Sequence, residues 1–419
     1  LFTRVKGFRD IYGEEAVYWE KIERVFRETF QTFNFREFVL PVLEKAEVFN
    51  RGIGNTTDIV EKEMFAFEDR DGSEVALRPE GTASIVRAYV ENKLYNPPSV
   101  KKYWYMGPMF RRERPQKGRF RQFYQAGIEV FGAEGAAADA EVIYLLKTLA
   151  DVTGVGDMVS MEINSIGCPE CRPAYSAKLI EYFESRKDEL CGDCKRRLTK
   201  NPMRILDCKN EGCKAVTRNA PVMLDHLCED CEKHFSEVKT YLDAFEVKYK
   251  VNPMMVRGLD YYVRTAFEMV TDKLGSQNAV GAGGRYDGLI SLLGGPEMPG
   301  IGFALGIDRL AALAMLNDNV KDRGADVFII AFKDISDVSA MGLVKSFRER
   351  SIIAEVDYDF RAMKKQIKKA DSAGADFTLI LGEEETAKGE VSVKNMKTGE
   401  QSAVKFEEAV EYIANKLIF

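Results

Sequence analysis

"MFRRERPQKGRFRQFYQAGIEVFG", residues Met109 to Gly132, decides how this chain is read. Six basic side chains, Arg111, Arg112, Arg114, Lys117, Arg119 and Arg121, precede a strand pattern that carries Gln125 and Glu129. By strand parity Gln125, Gly127 and Glu129 share one face, and Tyr124, Ala126, Ile128 and Val130 share the other. On the preceding strand Tyr105, Gly107, Met109 and Arg111 line one face. A glycine between two polar side chains leaves room for a ligand against the sheet. An arginine at the strand end can grip a phosphate through two N–H groups. The plain alternative is a solvated, salt-bridged hairpin, and only the rest of the chain separates the two.

At 419 residues the chain is too long for one core and implies two or three domains. A content of 45% hydrophobic and 30% charged residues is that of a soluble globular protein. The net charge of −6 argues against non-specific coating of nucleic acid, while leaving room for local basic patches aimed at phosphates. "LFTRVKGFRD" has no signal-peptide core, and a start at Leu1 rather than Met is that of a trimmed chain. The longest apolar run, "LAALAML" from Leu310, is far short of a membrane span. The expectation is a cytoplasmic protein with no membrane segment.

All eight cysteines fall between Cys168 and Cys231, as Cys168/Cys171, Cys191/Cys194, Cys208/Cys213 and Cys228/Cys231. Such pairs in a cytosolic chain point to thiolate ligation of structural Zn2+ rather than to disulfides. Which pairs combine is open at this point, and reduced buried thiols are the bland reading. The two histidines, His226 and His234, flank the last pair and read as surface residues, either able to replace a thiolate.

Apolar residues recur at helical spacing over Val17–Phe33. "FREFVLPVLEKAEVF" reads as a strand interrupted by Pro41, then a helix. Met64–Leu77 reads as a hairpin turning at Asp71-Gly72. "RPEGTASIVRAYVENKL" starts as a loop and becomes a helix. Ala136–Ala150 is a further helix, with Asp139 and Glu141 at its solvated start. Trp19, Trp104 and Phe131 read as core. The cysteine-bearing segment is helical and looks inserted. From Ala325 short strands, "ADVFIIAF", "IIAEVDY" and "DFTLILG", alternate with helices, the last from Glu407, as in a small α/β domain with a partly parallel sheet.

Three further stretches weigh on the opening question. "RPEGT" (Arg78–Thr82) offers a carboxylate at a loop–helix junction, "RGLDYYVRTAFE" (Arg257–Glu268) adds an arginine and two tyrosines, and "GIGFALGIDRL" (Gly300–Leu310) brings Arg309 to a helix start. There is no Walker-type loop, and "GAGGRYDG" lacks the Lys-Ser/Thr of a phosphate cradle. This ordered set resembles the class II aminoacyl-tRNA synthetases, with the Pro41 strand as motif 1, "FRRER…FRQFYQAGIEVFG" as motif 2 and "GIGFALGIDRL" as motif 3. "RGLDYYVRTAFE" and "GAGGRYDGL" are similar specifically to the histidyl-tRNA synthetase family, and the resemblance runs from "KGFRD" at Lys6 to the C-terminal domain.

The resemblance implies an α+β fold: an antiparallel-sheet catalytic domain with a helical insertion, plus a C-terminal α/β anticodon-binding domain. The boundaries expected are 1–165 and 253–323 for the catalytic core, 166–252 for the insertion and 324–419 for the last domain. It implies a ligase that activates L-histidine with ATP and Mg2+, releases pyrophosphate, and then charges histidine tRNA, working as a homodimer joined near Pro41. Arg111 would meet the α-phosphate, Arg309 the γ-phosphate, and Arg257 the reacting α-phosphate and substrate carboxylate. Glu113 would hold the adenine side or a metal ion. Glu129 and Tyr262 would take the imidazole ring, with Tyr286 closing its pocket. Glu80, Thr82 and Gln125 would take the α-amino group, and Gly81 and Tyr261 complete the set. Arg114, Gln116, Lys117 and Arg119 would touch the tRNA acceptor end. Arg361, Lys364, Lys365, Lys368 and Lys369 recur along one helix of the last domain, where a solvated face is the bland reading. Arg112 departs from the family pattern, in which His is frequent, and this bears on a tRNA contact.

Three rivals stand against this. A catalytically silent regulatory subunit of ATP phosphoribosyltransferase would lack the last domain and several arginines. A class II synthetase for another amino acid would differ in the pocket, chiefly at Glu129. A zinc-dependent tRNA-binding protein that kept the scaffold would have no need of the arginine set.

Overall fold

The structure, a computed structural model, describes residues 1–54, 57, 59–115, 119–275, 278–317 and 324–417. The chain divides into two compact units, Leu1–Val320 and Lys321–Phe419.

The first unit is built on an eight-stranded sheet in the order Arg36–Glu37, Lys101–Phe110, Gln122–Phe131, Gly300–Gly306, Ala279–Arg285, Val263–Val270, Ser160–Ser165, Tyr249–Val251. Its interior pairs are antiparallel and its two outermost pairs parallel. Period-two alternation sorts the residues between faces. Trp104, Ala126, Ile128, Val130, Phe303 and Phe267 point into the main core. Helices Glu14–Thr32, Ala136–Val152 and Ile307–Asn317 cover that face with residues such as Trp19, Phe26, Leu146 and Leu310. The first of these helices buries Tyr18, Trp19, Ile22, Phe26 and Phe30, a stripe at helical spacing, and has Glu14 and Glu15 in its first turn, where the helix dipole favours them. Asn34, at φ +59°, ends it. The opposite face of the sheet is left for Tyr105, Gly127, Glu129 and Gly302.

The strand expected through Pro41 is broken into Arg36–Glu37 and Leu43–Lys45. Leu43–Lys45 pairs with Glu74–Leu77, which pairs with Phe65–Glu68 to close the hairpin read around Asp71-Gly72. Val39, Val42 and Leu43 are exposed on this segment. The cysteine-bearing segment forms helices Cys171–Glu184, Gly192–Lys200, Glu211–Thr217 and Glu229–Ala244 around its own small core. It is also stitched to the sheet layer, since Phe235, Val238 and Leu242 of its last helix enter the main core and Tyr249–Val251 adds the edge strand.

Asp139 corrects the sequence reading. It is wholly buried, not part of a solvated helix start. Arg285 Nε lies 3.1 Å from its Oδ1, and His234 Nε2 is 2.8 Å from its Oδ2, so His234 is no surface residue either. Burial alone would raise the Asp139 pKa, but the His234 hydrogen bond and the Arg285 charge outweigh it and hold the carboxyl below its ordinary value. Arg285 also donates to the Ala133 carbonyl at 2.9 Å and to Asp287 at 3.1 Å. A fully buried charge tolerated this way has to be paired and hydrogen-bonded on every side.

The second unit has a five-stranded sheet ordered Ala354–Val356, Val327–Ala331, Phe377–Leu381, Glu390–Asn395, Gln401–Lys405. The first three strands are parallel, and the last two form an antiparallel hairpin that the sequence reading did not place. Val391 and Val393 alternate inward, and Gly399 at φ +77° makes the turn. Helices Asp337–Glu349, Met363–Ser372, Glu383–Lys388 and Ala409–Lys416 complete the unit. Arg361 lies before the helix to which it was assigned, and both it and Lys369 close on the buried Asp357. Among the described residues no helix is long and apolar enough to cross a membrane.

Candidate active site

The floor of the site is backbone. A Cβ at Gly81 would lie 2.1 Å from the Tyr105 ring, and one at Gly127 2.3 Å from it. A Cβ at Gly300 would meet the Tyr286 ring at 2.4 Å, one at Gly284 the Tyr262 ring at 2.9 Å, and one at Gly302 the Glu129 carboxylate at 1.9 Å. Each glycine is thus the imprint of a larger side chain lying over it. This corrects the reading of Gly127 as room for a ligand, because its room is filled by Tyr105. Parity had grouped Tyr105 with Gly107, Met109 and Arg111 on its own strand, but nothing local marked it as a partner of Glu129.

Glu129 is fully buried and accepts hydrogen bonds from Thr82 Oγ1 at 2.7 Å, from the Tyr105 hydroxyl at 3.3 Å and from the Tyr286 hydroxyl. Burial pushes its pKa up to about 8, against these hydrogen bonds, which favour the anion. Tyr261 and Tyr262 pack at 4.6 Å between ring centres, and Tyr286 stands edge-on to both. Glu80 accepts from the Thr82 and Ala83 backbone N–H groups, each at 2.7 Å, at the start of helix Thr82–Glu91. The Gln125 side-chain oxygen is buried with no hydrogen-bond partner among the described residues, an acceptor turned toward the same face as Glu129.

The arginines gather beside this pocket. Arg111 donates from Nε to the Pro79 carbonyl at 2.9 Å and lies over the Phe123 ring. Glu113 sits 2.6 Å from Arg119 and 3.8 Å from Arg111. Arg309, at the start of helix Ile307–Asn317, bonds the Ala279 carbonyl. Its neighbour Asp308 fixes the junction, accepting from Arg9 at 2.6 Å and from the Tyr124 N–H at 2.7 Å. Burial and the nearby Arg119 and Arg111 charges hold Arg309 below its ordinary pKa, against the pull of Glu113. Such a cluster is relieved by a bound anion. Arg257 pairs with Glu268 at 2.5 Å and lies 5.1 Å over the Tyr262 ring, which sets it on the tyrosine side of the pocket.

Arg114 is exposed beyond the hairpin, and Gln116 and Lys117 lie outside the described residues. Arg112 faces the Phe65 ring. Sequence reasoning passed over Arg78, which is buried and donates to the Pro108 carbonyl at 2.9 Å, to Leu40 at 2.7 Å and to Pro41 at 3.1 Å. Its place in "RPEGT", next to a proline, was the only available signal.

The eight cysteines form two sets, Cys168/Cys171/Cys228/Cys231 and Cys191/Cys194/Cys208/Cys213, with the sulfurs of each within 4.8 Å of one another. Sulfurs on a tetrahedral zinc with bonds of about 2.3 Å would stand about 3.8 Å apart, and Cys168–Cys228 and Cys191–Cys208 are each at 3.8 Å. Backbone N–H groups of Cys191 and Cys228 donate to Cys213 and Cys171 sulfurs at 3.2 and 3.1 Å, as suits thiolates. Neither His226 nor His234 joins a set.

A family model described as "Histidyl-tRNA synthetase" matches residues 7–310, and one described as "Anticodon binding domain" matches residues 326–416. The chain belongs to the histidyl-tRNA synthetase family. It is 49% identical over 409 residues to the histidine–tRNA ligase of Halothermothrix orenii, covering 97% of each chain. It is 47% identical over 407 residues to that of Trichlorobacter lovleyi, covering 97% of this chain and 96% of the relative. The apo histidyl-tRNA synthetase of S. aureus matches with a TM-score of 0.83 at 35% identity, over 99% of this chain and all of that one. The class II fold and the C-terminal anticodon-binding domain are thereby those expected for the family, whose members use ATP and Mg2+.

Proposed function

We propose that this chain is a histidine–tRNA ligase that joins L-histidine to ATP, forming histidyl-adenylate and pyrophosphate, and then passes the histidyl group to the 3′ end of histidine tRNA. The observation that carries the reading is the buried Glu129 carboxylate, ringed by Thr82, Tyr105 and Tyr286 and set beside a group of arginines. A pocket that hydrogen-bonds an imidazole discriminates strongly, because an analogue lacking the ring nitrogens leaves buried polar groups unmet.

In this reading Glu129 and Tyr262 hold the ring, Tyr261 and Tyr286 wall it, and Glu80, Thr82 and Gln125 orient the α-amino group above Gly81. The substrate carboxylate then attacks the α-phosphorus as the bond to pyrophosphate breaks. Arg257 and Arg111 take the charge that grows on the α-phosphate oxygens, and Arg309 holds the γ-phosphate. No general acid is required, only positioning and fixed positive charge. Mg2+, when bound, would supply further charge neutralisation, and Glu113, set among three arginines, is the carboxylate that would meet it or the adenine. Arg114, Gln116, Lys117 and Arg119 contact the acceptor end, and the second unit contacts the anticodon. The chain works as a cytoplasmic homodimer joined near Pro41, and each four-cysteine set holds one structural Zn2+. The domain boundaries that go with this are 1–165, 166–252, 253–323 and 324–419.

ATP–pyrophosphate exchange with each amino acid in turn, without tRNA, tests the reading. Exchange with histidine alone is expected. Exchange with another amino acid overturns the pocket assignment, and none with any amino acid overturns the catalytic one.

A further inference from the structure

The two cysteine sets lie on either side of one stretch of the active site, Arg257–Tyr262. Arg172, next to Cys171, donates to the Ile166 carbonyl at 3.2 Å and to the Tyr262 carbonyl. Arg264 N–H donates to the Gly167 carbonyl at 2.9 Å, and Ile166 N–H to the Arg264 carbonyl at 2.7 Å. The chain thus runs from a two-bond ladder beside Tyr262 straight into Cys168. Gly167 turns it at φ +68°, where a Cβ would come within 3.0 Å of Cys171.

The other end of the stretch is held from the second set. The segment between Cys194 and Cys208 carries Asn201 and Arg204. Asn201 donates to Asp260 at 3.1 Å, and Arg204 donates to the Arg257 carbonyl at 3.2 Å. Met203, between them, packs against both the small cysteine core and the cluster that includes Tyr262 and Tyr286.

The segment packs through Leu198, Ile205, Leu206 and Val216 into the small cysteine core, and its helices are short. Helix Gly192–Lys200 buries only Cys194 and Leu198, and helix Glu211–Thr217 only Cys213, Val216 and Thr217. Helices this short have no stability of their own. Cys191, Cys194 and Cys213 lie at the starts of these two helices, so both helices begin on the four-sulfur set. A metal joining four thiolates would therefore supply the order that the helices lack.

We infer that the two four-cysteine centres act as a pair of clamps on the Arg257–Tyr262 stretch, so that metal loading positions Arg257 and Tyr262 for histidine activation. The inference rests on the zinc reading given above. Arg172, Asn201 and Arg204 are its positioning residues, acting through the backbone carbonyls of Tyr262 and Arg257 and through Asp260. A displacement near 1 Å at such a site costs up to about a hundredfold in rate.

The test uses the full chain as purified, with metal content by elemental analysis, hydrogen exchange over 257–264, and pyrophosphate-exchange kinetics. Two zinc ions per chain are expected. Cys191→Ser with Cys208→Ser should remove one of them, speed hydrogen exchange over 257–264, and lower kcat/KM for histidine by about tenfold or more. Asn201→Ala with Arg204→Ala should keep both ions yet show the same loosening, and Arg204→Lys should recover part of the loss. This second pair decides the matter if the cysteine variant does not fold. A folded, active chain free of bound metal would overturn the zinc reading, and the clamps with it. Two ions with unchanged exchange and unchanged kcat/KM in the Asn201/Arg204 variant would overturn the clamps alone.

Discussion

The ring of Tyr105 occupies the space that a side chain at Gly127 would need, with its Cζ 2.3 Å and its hydroxyl 2.4 Å from where that Cβ would lie. The ring is wholly buried and its hydroxyl bonds Glu129, so a methyl group at Gly127 must displace the ring and disturb that contact. Gly127→Ala should cost about 1–3 kcal/mol of stability by overpacking and raise KM for histidine more than KM for ATP. Urea unfolding and pyrophosphate exchange measure the two effects, and an unchanged histidine KM would show that the ring has somewhere else to go.

Glu129 predicts a pH dependence of stability. Its folded pKa of about 8 lies above the ordinary value of 4.5, so between these the native state binds more protons than the unfolded one. Its contribution is therefore fully present below about pH 4.5 and lost as pH rises toward 8, by up to about 5 kcal/mol. Glu129→Gln cannot ionise. In unfolding experiments without ligand between pH 5 and 8.5, the wild-type chain should lose stability relative to that variant as pH rises; parallel curves would contradict this.

Arg257 and Arg309 should separate by kinetic signature. Arg257→Ala removes charge from the reacting phosphate and should lower kcat for exchange about 10²–10³-fold. Arg257→Lys should restore little, because a point charge does not reproduce a planar fork. Arg309→Ala should instead act mainly on KM for ATP.

Asp139→Ala would leave the fully buried Arg285 without its main partner. Breaking a buried pair from one side costs about 3–5 kcal/mol, which the unfolding midpoint would report. Because Asp139 touches no substrate-pocket residue named above, the folded fraction should keep its KM for histidine.

Lys364, Lys365 and Lys368 are exposed on helix Met363–Ser372, whereas Lys369 is committed to Asp357. Replacing the three by Glu should weaken tRNA charging and change its salt dependence. Histidine-dependent pyrophosphate exchange, which needs no tRNA, should be untouched.

Local patterns in the sequence carried much of the fold. Alternation from Tyr124 to Val130 assigned each side chain to its face, and helical spacing located Glu14–Thr32 to within a few residues. Pairings across long stretches of chain were not legible. Asp139 and Arg285 are 146 residues apart, and a run of alanines before an acid looks the same whether or not an arginine waits behind it. Gly127 read as empty space because the ring that fills it comes from another strand. The cysteine spacings indicated pairs, while the way pairs combine depends on how four helices pack. The hairpin over 390–405 was missed because its outward residues are nearly all polar, leaving Val391, Val393 and Val404 as the apolar signal.

Arg78 has a consequence for the chain's tolerance of change. One guanidinium gathers the carbonyls of Leu40, Pro41 and Pro108, and two residues further along lies Glu80. The Val39 and Val42 side chains are exposed and make no part of the chain's own core, while Leu40 between them is buried. The backbone of this segment is not free to shift. One residue added or removed between Phe38 and Leu43 would draw two carbonyls off the guanidinium and tilt the loop that carries Glu80 and Thr82. For this stretch the pocket depends on length as well as on composition.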